Sequence, residues 1–476
     1  MNKRNHTLFF SLALMAVLCL GLPLWGCGQA QGGASGESAP ATTAAASTTG
    51  AAEAPARAAA LDFYKPSGDY QLKQVVVLSR HNIRAPLSTT GSALDQATPH
   101  TWIDWTANAS ELTMRGGAQE TMMGGYVRKW LEAEGLIPEN YRPESGAVRF
   151  YANGKQRTMA TAQYFSSGML PVANVGIEVH AEYDKMDPVF SPSLTFLSDS
   201  YTAAALEQMG SMNGAKGMQD VCSSLADSYA LIEQVVDYQQ SDAYKTGEIK
   251  DLDTKDTQVT LELGKEPAVS GSLKTACSLS DALVLQYYEQ PDAKAAAFGH
   301  ELSDEQWKLL CQSKDFYVDL LYTAPLVATN VAHPLLQEIG SEMDAQGRVF
   351  SFLCGHDSNV GSVLAALEVE PYELPGAIEV KTPIGCKLVF ERWANASGEE
   401  YGRVRLLYQS VDQLRSGSML TGAESPMSVE LSLAGLQKNS DGLYAYSDLR
   451  GRVADAVAGY DKLVQQYGEH ELAQAA

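Results

Sequence analysis

The sequence predicts an α/β fold: a mostly parallel sheet flanked by helices, with an inserted, mainly helical domain. Two observations carry this. Three short, largely apolar runs, Val75–Leu78, Ala147–Ala152 and Arg348–Gly355, are each followed by a polar loop and a helix-patterned stretch. Short apolar runs of this kind read as strands buried on both faces, and strands alternating with helices build parallel sheets. Between about residues 183 and 322, by contrast, strand patterns are scarce and helical spacing dominates. At 476 residues and 45% hydrophobic, the chain can bury a large core in two domains.

The N-terminus comes first. Lys3 and Arg4 precede a mostly apolar run from Thr7 to Trp25, the pattern of an export signal. Its ending, Leu24-Trp25-Gly26-Cys27, resembles a bacterial lipobox, which implies lipidation at Cys27. Ordinary cleavage and an uncleaved anchor are the alternatives, and all three export the rest of the chain. Residues 28–60 are almost entirely Ala, Ser, Thr, Gly and Glu without apolar periodicity. Such a stretch is a flexible tether that holds the folded part off a membrane. The expected parts are therefore 1–27, signal; 28–60, linker; 61–182 with 323–476, an α/β catalytic domain; and 183–322, a helical insert.

The first strand delivers Arg80-His81-Asn82-Ile83-Arg84-Ala85-Pro86 at its C-terminal end. Pro86 cannot pair in a ladder and Asn82 suits a turn, so the chain leaves the sheet here. Ligands bind at that end of α/β strands. Two guanidiniums beside an imidazole keep it neutral, and a neutral imidazole is a nucleophile. Arg80 and Arg84 match the oxygens of a phosphoryl group in transfer. The chemistry so read is a phosphohistidine at His81. For this short pattern by itself a basic surface turn is the competing reading.

Leu112 to Gly135 follows with helical spacing at Met122, Tyr126 and Trp130, and its Gly116-Gly117 pair marks close packing or a cap. Asn153-Gly154 closes the second strand, and Gln156-Arg157-Thr158 opens a helix. Arg157 is a cation at a helix start, where the macrodipole disfavours it. A solvated Arg is the plain reading; its awkward position favours function. In the insert, Ala203–Met209, Val221–Tyr238, Ser278–Tyr288 and Asp304–Leu321 read as helices, the last opened by Ser303 with capping-box-like acids. Gln239–Thr260 reads as a loop. The third strand ends at His356-Asp357-Ser358-Asn359, and a helix follows over Val360–Leu367. By itself His356-Asp357 is a helix start with an Asp cap. Three strand ends carrying polar groups argue for one shared site. Lys387–Trp393 and Arg403–Tyr408 read as further strands.

The Arg80–Pro86 run resembles the signature of the histidine acid phosphatases, Arg-His-Gly-x-Arg-x-Pro, with Asn82 where most members have Gly. The longer run Ser79–Leu87 is similar to the bacterial periplasmic glucose-1-phosphatases, which also carry Asn there. Leu112-Thr113-x-x-Gly116, Gln156-Arg157-Thr158, His356-Asp357 and Lys381–Gly385 with Phe390–Trp393 resemble the family as well, so the likeness runs from about Gln74 to the end. It implies that Arg157 binds the phosphate as a third guanidinium, that His356 hydrogen-bonds it, and that Asp357 protonates the leaving oxygen. It implies a helical insert that shapes the pocket, and Glu207 lies in that insert where a residue could reach it. It implies a sugar phosphate such as glucose-1-phosphate as substrate, with phytate as the alternative. Phytase-type members carry basic residues in the segment matching Thr329-Asn330-Val331, which is neutral here.

A proton donor at Asp357 needs a raised pKa or an acidic medium. No metal or cofactor is expected, because three guanidiniums supply the charge clamp. The net charge of −22 excludes a basic footprint for nucleic acid. It also means that a small phosphomonoester must be held by local Arg clusters. Walker, Gly-x-Ser-x-Gly and His-Glu-x-x-His patterns are absent. Beyond Cys19 and Cys27 five cysteines remain, an odd number, without zinc-type spacing. Family members carry disulfides, but no pairing follows here. From another class, the tether would suit a lipoprotein that binds phosphate esters without turnover. Asp357 speaks against that, since a pure binder gains nothing from a carboxyl facing the anion.

Overall fold

A computed structural model of the chain describes residues 65–88 and 92–474. The expected signal, Cys27 and the linker lie outside the described residues. The strands are β1 (Tyr70–Arg80), β2 (Val148–Ala152), β3 (Gln258–Thr260), β4 (Ala268–Ser270), β5 (Phe350–Gly355), β6 (Lys387–Asn395), β7 (Glu400–Tyr408), β8 (Met427–Glu430) and β9 (Tyr444–Ala445). The helices of ten residues or more are α1 (Met114–Ala133), α2 (Gln156–Met169), α3 (Asp199–Gly210), α4 (Ala226–Val235), α5 (Ser272–Glu289), α6 (Asp304–Tyr322), α7 (Pro325–Asp344), α8 (Asp357–Ala366) and α9 (Tyr446–Gln474).

The main sheet runs β2-β5-β1-β6-β7-β8, with β9 also on β7. The α/β class is as expected. The parallel ladders are those of β2, β5 and β1, the strands that carry the candidate residues, whereas β6 to β9 extend the sheet antiparallel. The difference follows from connection length. A short loop joins β6 to β7 as a hairpin and a longer connection, residues 409–426, returns the chain to β8, while β1, β2 and β5 are linked through helices.

β1 shows why its apolar run is continuous. Successive side chains point to opposite faces. Val76 and Leu78 enter a core with Leu335, Ile339, Val363 and Leu449, whereas Val75 and Val77 enter a second core with Met123, Trp130 and Phe165. Each such side chain contributes roughly 1.5–3 kcal/mol on burial. Register then places the site. Arg80 pairs with Gly355 and Ala152 with Cys354, so three parallel strands end at one level.

α1 is capped by the Thr113 side chain, which accepts from Gly116 N at 3.1 Å. A Cβ at Gly116 would fall 2.3 Å from the carbonyl oxygen of Ile83, so glycine is what lets α1 close on the His81 loop. A third core lies among the helices of residues 199–322 and also takes in Ile83, Leu94, Val327, Ile378 and Leu414. Tyr201, Ile232, Leu283, Trp307, Leu310 and Leu321 are fully buried together, and Ser303 with Gln306 forms the capping box of α6. The five cysteines of the folded part are all free thiols.

Candidate active site

His81, Arg84, Arg157, His356 and Asp357 line one cavity of about 460 Å³ beyond the ends of β1, β2 and β5. Arg80 is not on its wall. It lies behind Asp357, fully buried, with Nη2 3.3 Å from Asp357 Oδ2.

The His81 backbone N–H donates to Gly355 O at 3.0 Å, continuing the β1–β5 ladder into the loop. Its Nδ1 lies 2.9 Å from the carbonyl oxygen of Asn82. A carbonyl only accepts, so Nδ1 carries the proton and Nε2 keeps a free lone pair. Burial, then Arg157, His356, Arg84 and Arg80, hold the His81 pKa well below the ordinary value. The ring is therefore neutral in mildly acidic solution.

His356 caps α8, and its ring sits 5.5 Å from that of His81, centroid to centroid. The Asn153 Oδ1 accepts two backbone N–H groups, from Gly154 and Asp187, each at 2.8 Å. That leaves Asn153 Nδ2 to donate to His356 Nε2 at 2.7 Å. The proton of His356 is then on Nδ1, which lies 3.4 Å from Arg157 Nη2. Both are donors, side by side, poised for a shared acceptor. The Nε groups of Arg80, Arg84 and Arg157 are likewise buried donors without a partner. Unpaired Nε groups also occur away from the cavity, at Arg128 and Arg348, so it is the convergence of Arg84, Arg157 and His356 on one cavity that marks a place for oxygens.

Arg157 Nη1 donates to Ser110 Oγ at 2.7 Å, with Ser110 held in the left-handed region at φ 73°. Among the described residues no carboxylate lies within ion-pair distance of Arg157. Burial and the neighbouring Arg84 push its pKa down to about 10. Arg84 is paired with Asp281 of α5 at 2.9 Å.

Asp357 opens α8, and its Oδ1 accepts from Ser358 N at 2.9 Å. Burial opposes its charge, but Arg80, Lys314, His356 and Arg84 overcome that and hold the carboxyl far below the carboxylate range. The raised pKa expected for a resting proton donor is thus not found. Arg80 in turn is clamped by Glu379, a fully buried carboxylate. Its Oε1 accepts from Arg80 Nη1 and Lys314 Nζ, and its Oε2 from Tyr288 OH and Ile384 N. Glu379 has a pKa lowered to about 2, because two cations outweigh its burial.

Two sequence inferences do not survive. Glu207 is exposed on α3 and does not line the cavity. The insert instead reaches the cavity with Glu266, Lys274, Asp281, Lys314, Tyr317 and Tyr322. Thr329–Val331 does not line it either. Asn330 and Val331 are buried, and Asn330 binds the backbone of Thr195 and Phe196. Residue type in that segment therefore bears on packing, not on substrate charge. Ser110, Asn153, Glu379 and Lys314 went unnoticed in the sequence, since each meets the site through a partner distant along the chain.

The pattern of the histidine phosphatase superfamily (branch 2) matches residues 71–409. Glucose-1-phosphatase of Salmonella typhimurium (strain LT2) is 40% identical over 383 residues, covering 79% of this chain and 90% of the relative. Phytase AppA of Escherichia coli (strain K12) is 29% identical over 396 residues, covering 80% and 91%. The apo form of Hafnia alvei phytase superposes with a TM-score of 0.75 at 27% identity, covering 83% of this chain and 98% of that one. A pattern that spans well over half the chain, and a relative at 40% identity, show that the chain belongs to branch 2 of the histidine phosphatase superfamily, as a phosphomonoester hydrolase of the histidine acid phosphatase type.

Proposed function

We propose that the chain hydrolyses a small phosphomonoester with a hydroxylated leaving group, a sugar phosphate such as glucose-1-phosphate, through phosphohistidine at His81. The observation that carries this reading is the convergence of donors from Arg84, Arg157 and His356 on one cavity with a neutral His81, with Arg80 behind Asp357 adding positive charge. Phosphate oxygens accept from these groups. The Nε2 lone pair of His81 attacks phosphorus, the bond to the leaving oxygen breaks, and that oxygen takes a proton from Asp357.

Because Asp357 rests as a carboxylate, its proton arrives with the substrate. A phosphomonoester is a monoanion below about pH 6 and can hand its proton to Asp357 on binding. The dianion left on phosphorus, set against Arg80, then favours the protonated acid. In the second half Asp357 takes a proton from water, which attacks phosphorus and releases His81.

The preference for a sugar phosphate over phytate rests first on the 40% identity to a glucose-1-phosphatase, since the cavity lining carries Lys155, Lys274 and Lys314 as well as acidic groups. Glu266, whose pKa is raised by burial, and Asp281, already bound to Arg84, bring carboxyl groups into the cavity. When ionised, Glu266 would meet the further phosphates of phytate unfavourably. Phytate is the second reading, favoured by the likeness to Hafnia alvei phytase. The division into a catalytic part (61–182, 323–476) and a covering helical part (183–322) belongs to the same proposal. So does export with a tether at Cys27, which rests on the sequence pattern alone; among the described residues no helix is long and apolar enough to cross a membrane.

Residues 61–476, assayed for phosphate release at acidic pH, provide the test. Glucose-1-phosphate should be consumed faster than phytate, in excess chelator as well as without it. The reverse preference overturns the substrate assignment, and loss in chelator with rescue by a divalent metal overturns the guanidinium clamp. No release from either ester or from an aryl phosphate would favour the binding lipoprotein. Palmitate labelling lost on Cys27→Ala tests the tether.

A further inference from the structure

Behind His81, away from the cavity, lies a second buried polar cluster that the mechanism above does not use. Asn82, Glu120 of α1 and Lys387 of β6 are each at most 1% exposed. Asn82 Nδ2 donates to Glu120 Oε1 at 2.7 Å, and Lys387 Nζ donates to the same oxygen at 2.8 Å. Lys387 also donates to Gly385 O at 2.6 Å, and Gly385 N donates back to the carbonyl oxygen of His81 at 3.1 Å. Asn82 is held at two further points, by its N–H to Thr161 Oγ1 at 3.1 Å and by its Oδ1 from Ile83 N at 2.7 Å. Its side chain passes directly over Gly385, where a Cβ would sit 2.5 Å from Asn82 Nδ2 and where φ is +67°.

Burying a charge pair is costly, and an apolar pair of similar size would serve a core equally well. This pair is spent on one residue. The carbonyl of Asn82 is the acceptor of His81 Nδ1–H, so whatever fixes the Asn82 peptide fixes the orientation and tautomer of the imidazole. The N–H of that same peptide, on Ile83, donates to Asn82 Oδ1, so the Asn82 side chain acts on it directly.

We propose that Asn82, Glu120 and Lys387 form a relay of positioning residues that holds the Asn82 carbonyl on His81 Nδ1–H and so presents Nε2 as the nucleophile. Glu120 anchors the Asn82 side chain, and Lys387 holds Glu120 Oε1 in place from the other side. The relay rests on the reading of His81 as nucleophile.

The experiment uses the folded chain with ¹⁵N-labelled histidine, together with rapid-quench measurement of phosphoenzyme under alkaline conditions. Asn82→Ala leaves the Glu120–Lys387 ion pair whole and removes the link to Glu120 together with the Oδ1 acceptor of Ile83 N. In this variant the His81 Nδ1 resonance should lose its protonated character, and kcat should fall about tenfold or more with KM little changed, as expected for a misaligned reacting group. Glu120→Gln should do the same in the wild-type background and little more in Asn82→Ala, since coupled residues are not additive. If Glu120→Gln does not fold, Asn82→Ala alone decides. An unchanged tautomer and unchanged rate of phosphoenzyme formation in Asn82→Ala would overturn the relay, as would fully additive effects of the two substitutions. Should the unmodified protein itself form no phosphohistidine, the nucleophile assignment falls first, and the relay with it.

Discussion

Replacing Arg157 by Met should make the protein more stable and a worse catalyst. A cation whose pKa is lower in the folded than in the unfolded chain is disfavoured in the folded state at every pH where it is charged. The drop from 12.5 to about 10 amounts to about 3 kcal/mol of unfavourable free energy at neutral pH. Losing the hydrogen bond to Ser110 returns about 1 kcal/mol of that. The net gain is about 2 kcal/mol, about two degrees in Tm for a chain of this size. Catalysis goes the other way. A charge-assisted hydrogen bond to phosphate contributes roughly 1.5–3 kcal/mol, so kcat/KM on glucose-1-phosphate should fall about 10- to 10²-fold. Thermal unfolding with and without inorganic phosphate reads both effects. Phosphate at about a hundred times its Kd stabilises the unmodified protein by about 2.7 kcal/mol, and this increment should shrink in the variant. A lower Tm without phosphate, or an undiminished phosphate increment, would refute the view that Arg157 is a strained cation kept for the anion.

Three further outcomes are expected. Asp357→Asn should lower kcat on an alkyl phosphate by roughly 10²–10⁴, and much less on an aryl phosphate whose leaving group needs no proton; equal losses would remove Asp357 as the acid. His81 is buried neutral, so the unfolded chain binds one more proton at this residue as pH falls below about 6.5, and stability falls with it. Urea unfolding of the unmodified protein should therefore lose stability faster than His81→Asn below that pH, by about 1.4 kcal/mol per pH unit, and parallel curves would contradict a neutral His81. Glu266→Gln should raise the rate on phytate relative to glucose-1-phosphate by up to about tenfold at neutral pH, and by less at acidic pH because burial favours the neutral acid, one charge at ~10 Å and an effective dielectric of ~20 being worth on the order of 1–2 kcal/mol; an unchanged ratio at both would place selectivity elsewhere.

Much of the fold was legible because burial on both faces leaves a plain trace. Val75–Leu78 and Phe350–Cys354 lack polar alternation since helices cover each side of β1 and β5. The antiparallel half of the sheet was harder to read. β6 and β7 read as strands, but Lys387, Glu391, Arg403 and Arg405, all buried in ion pairs, hid that these strands are central and antiparallel. The Thr329–Val331 inference failed because a helical segment written with neutral residues reads the same whether it faces a pocket or a core.

By itself the sequence determined the chemistry that could be assembled. Arg80, His81 and Arg84 are neighbours in the chain, as are His356 and Asp357, and local order puts each group at a strand end whatever happens elsewhere. Only tertiary structure decided their charge states and their aim. Asp357 is a carboxylate because Arg80, Lys314, His356 and Arg84 converge on it from separate elements. Arg80 faces it because Glu379 holds the other side of the guanidinium. Electrostatic energy depends on distance in space and on burial, and neither is written in sequence separation.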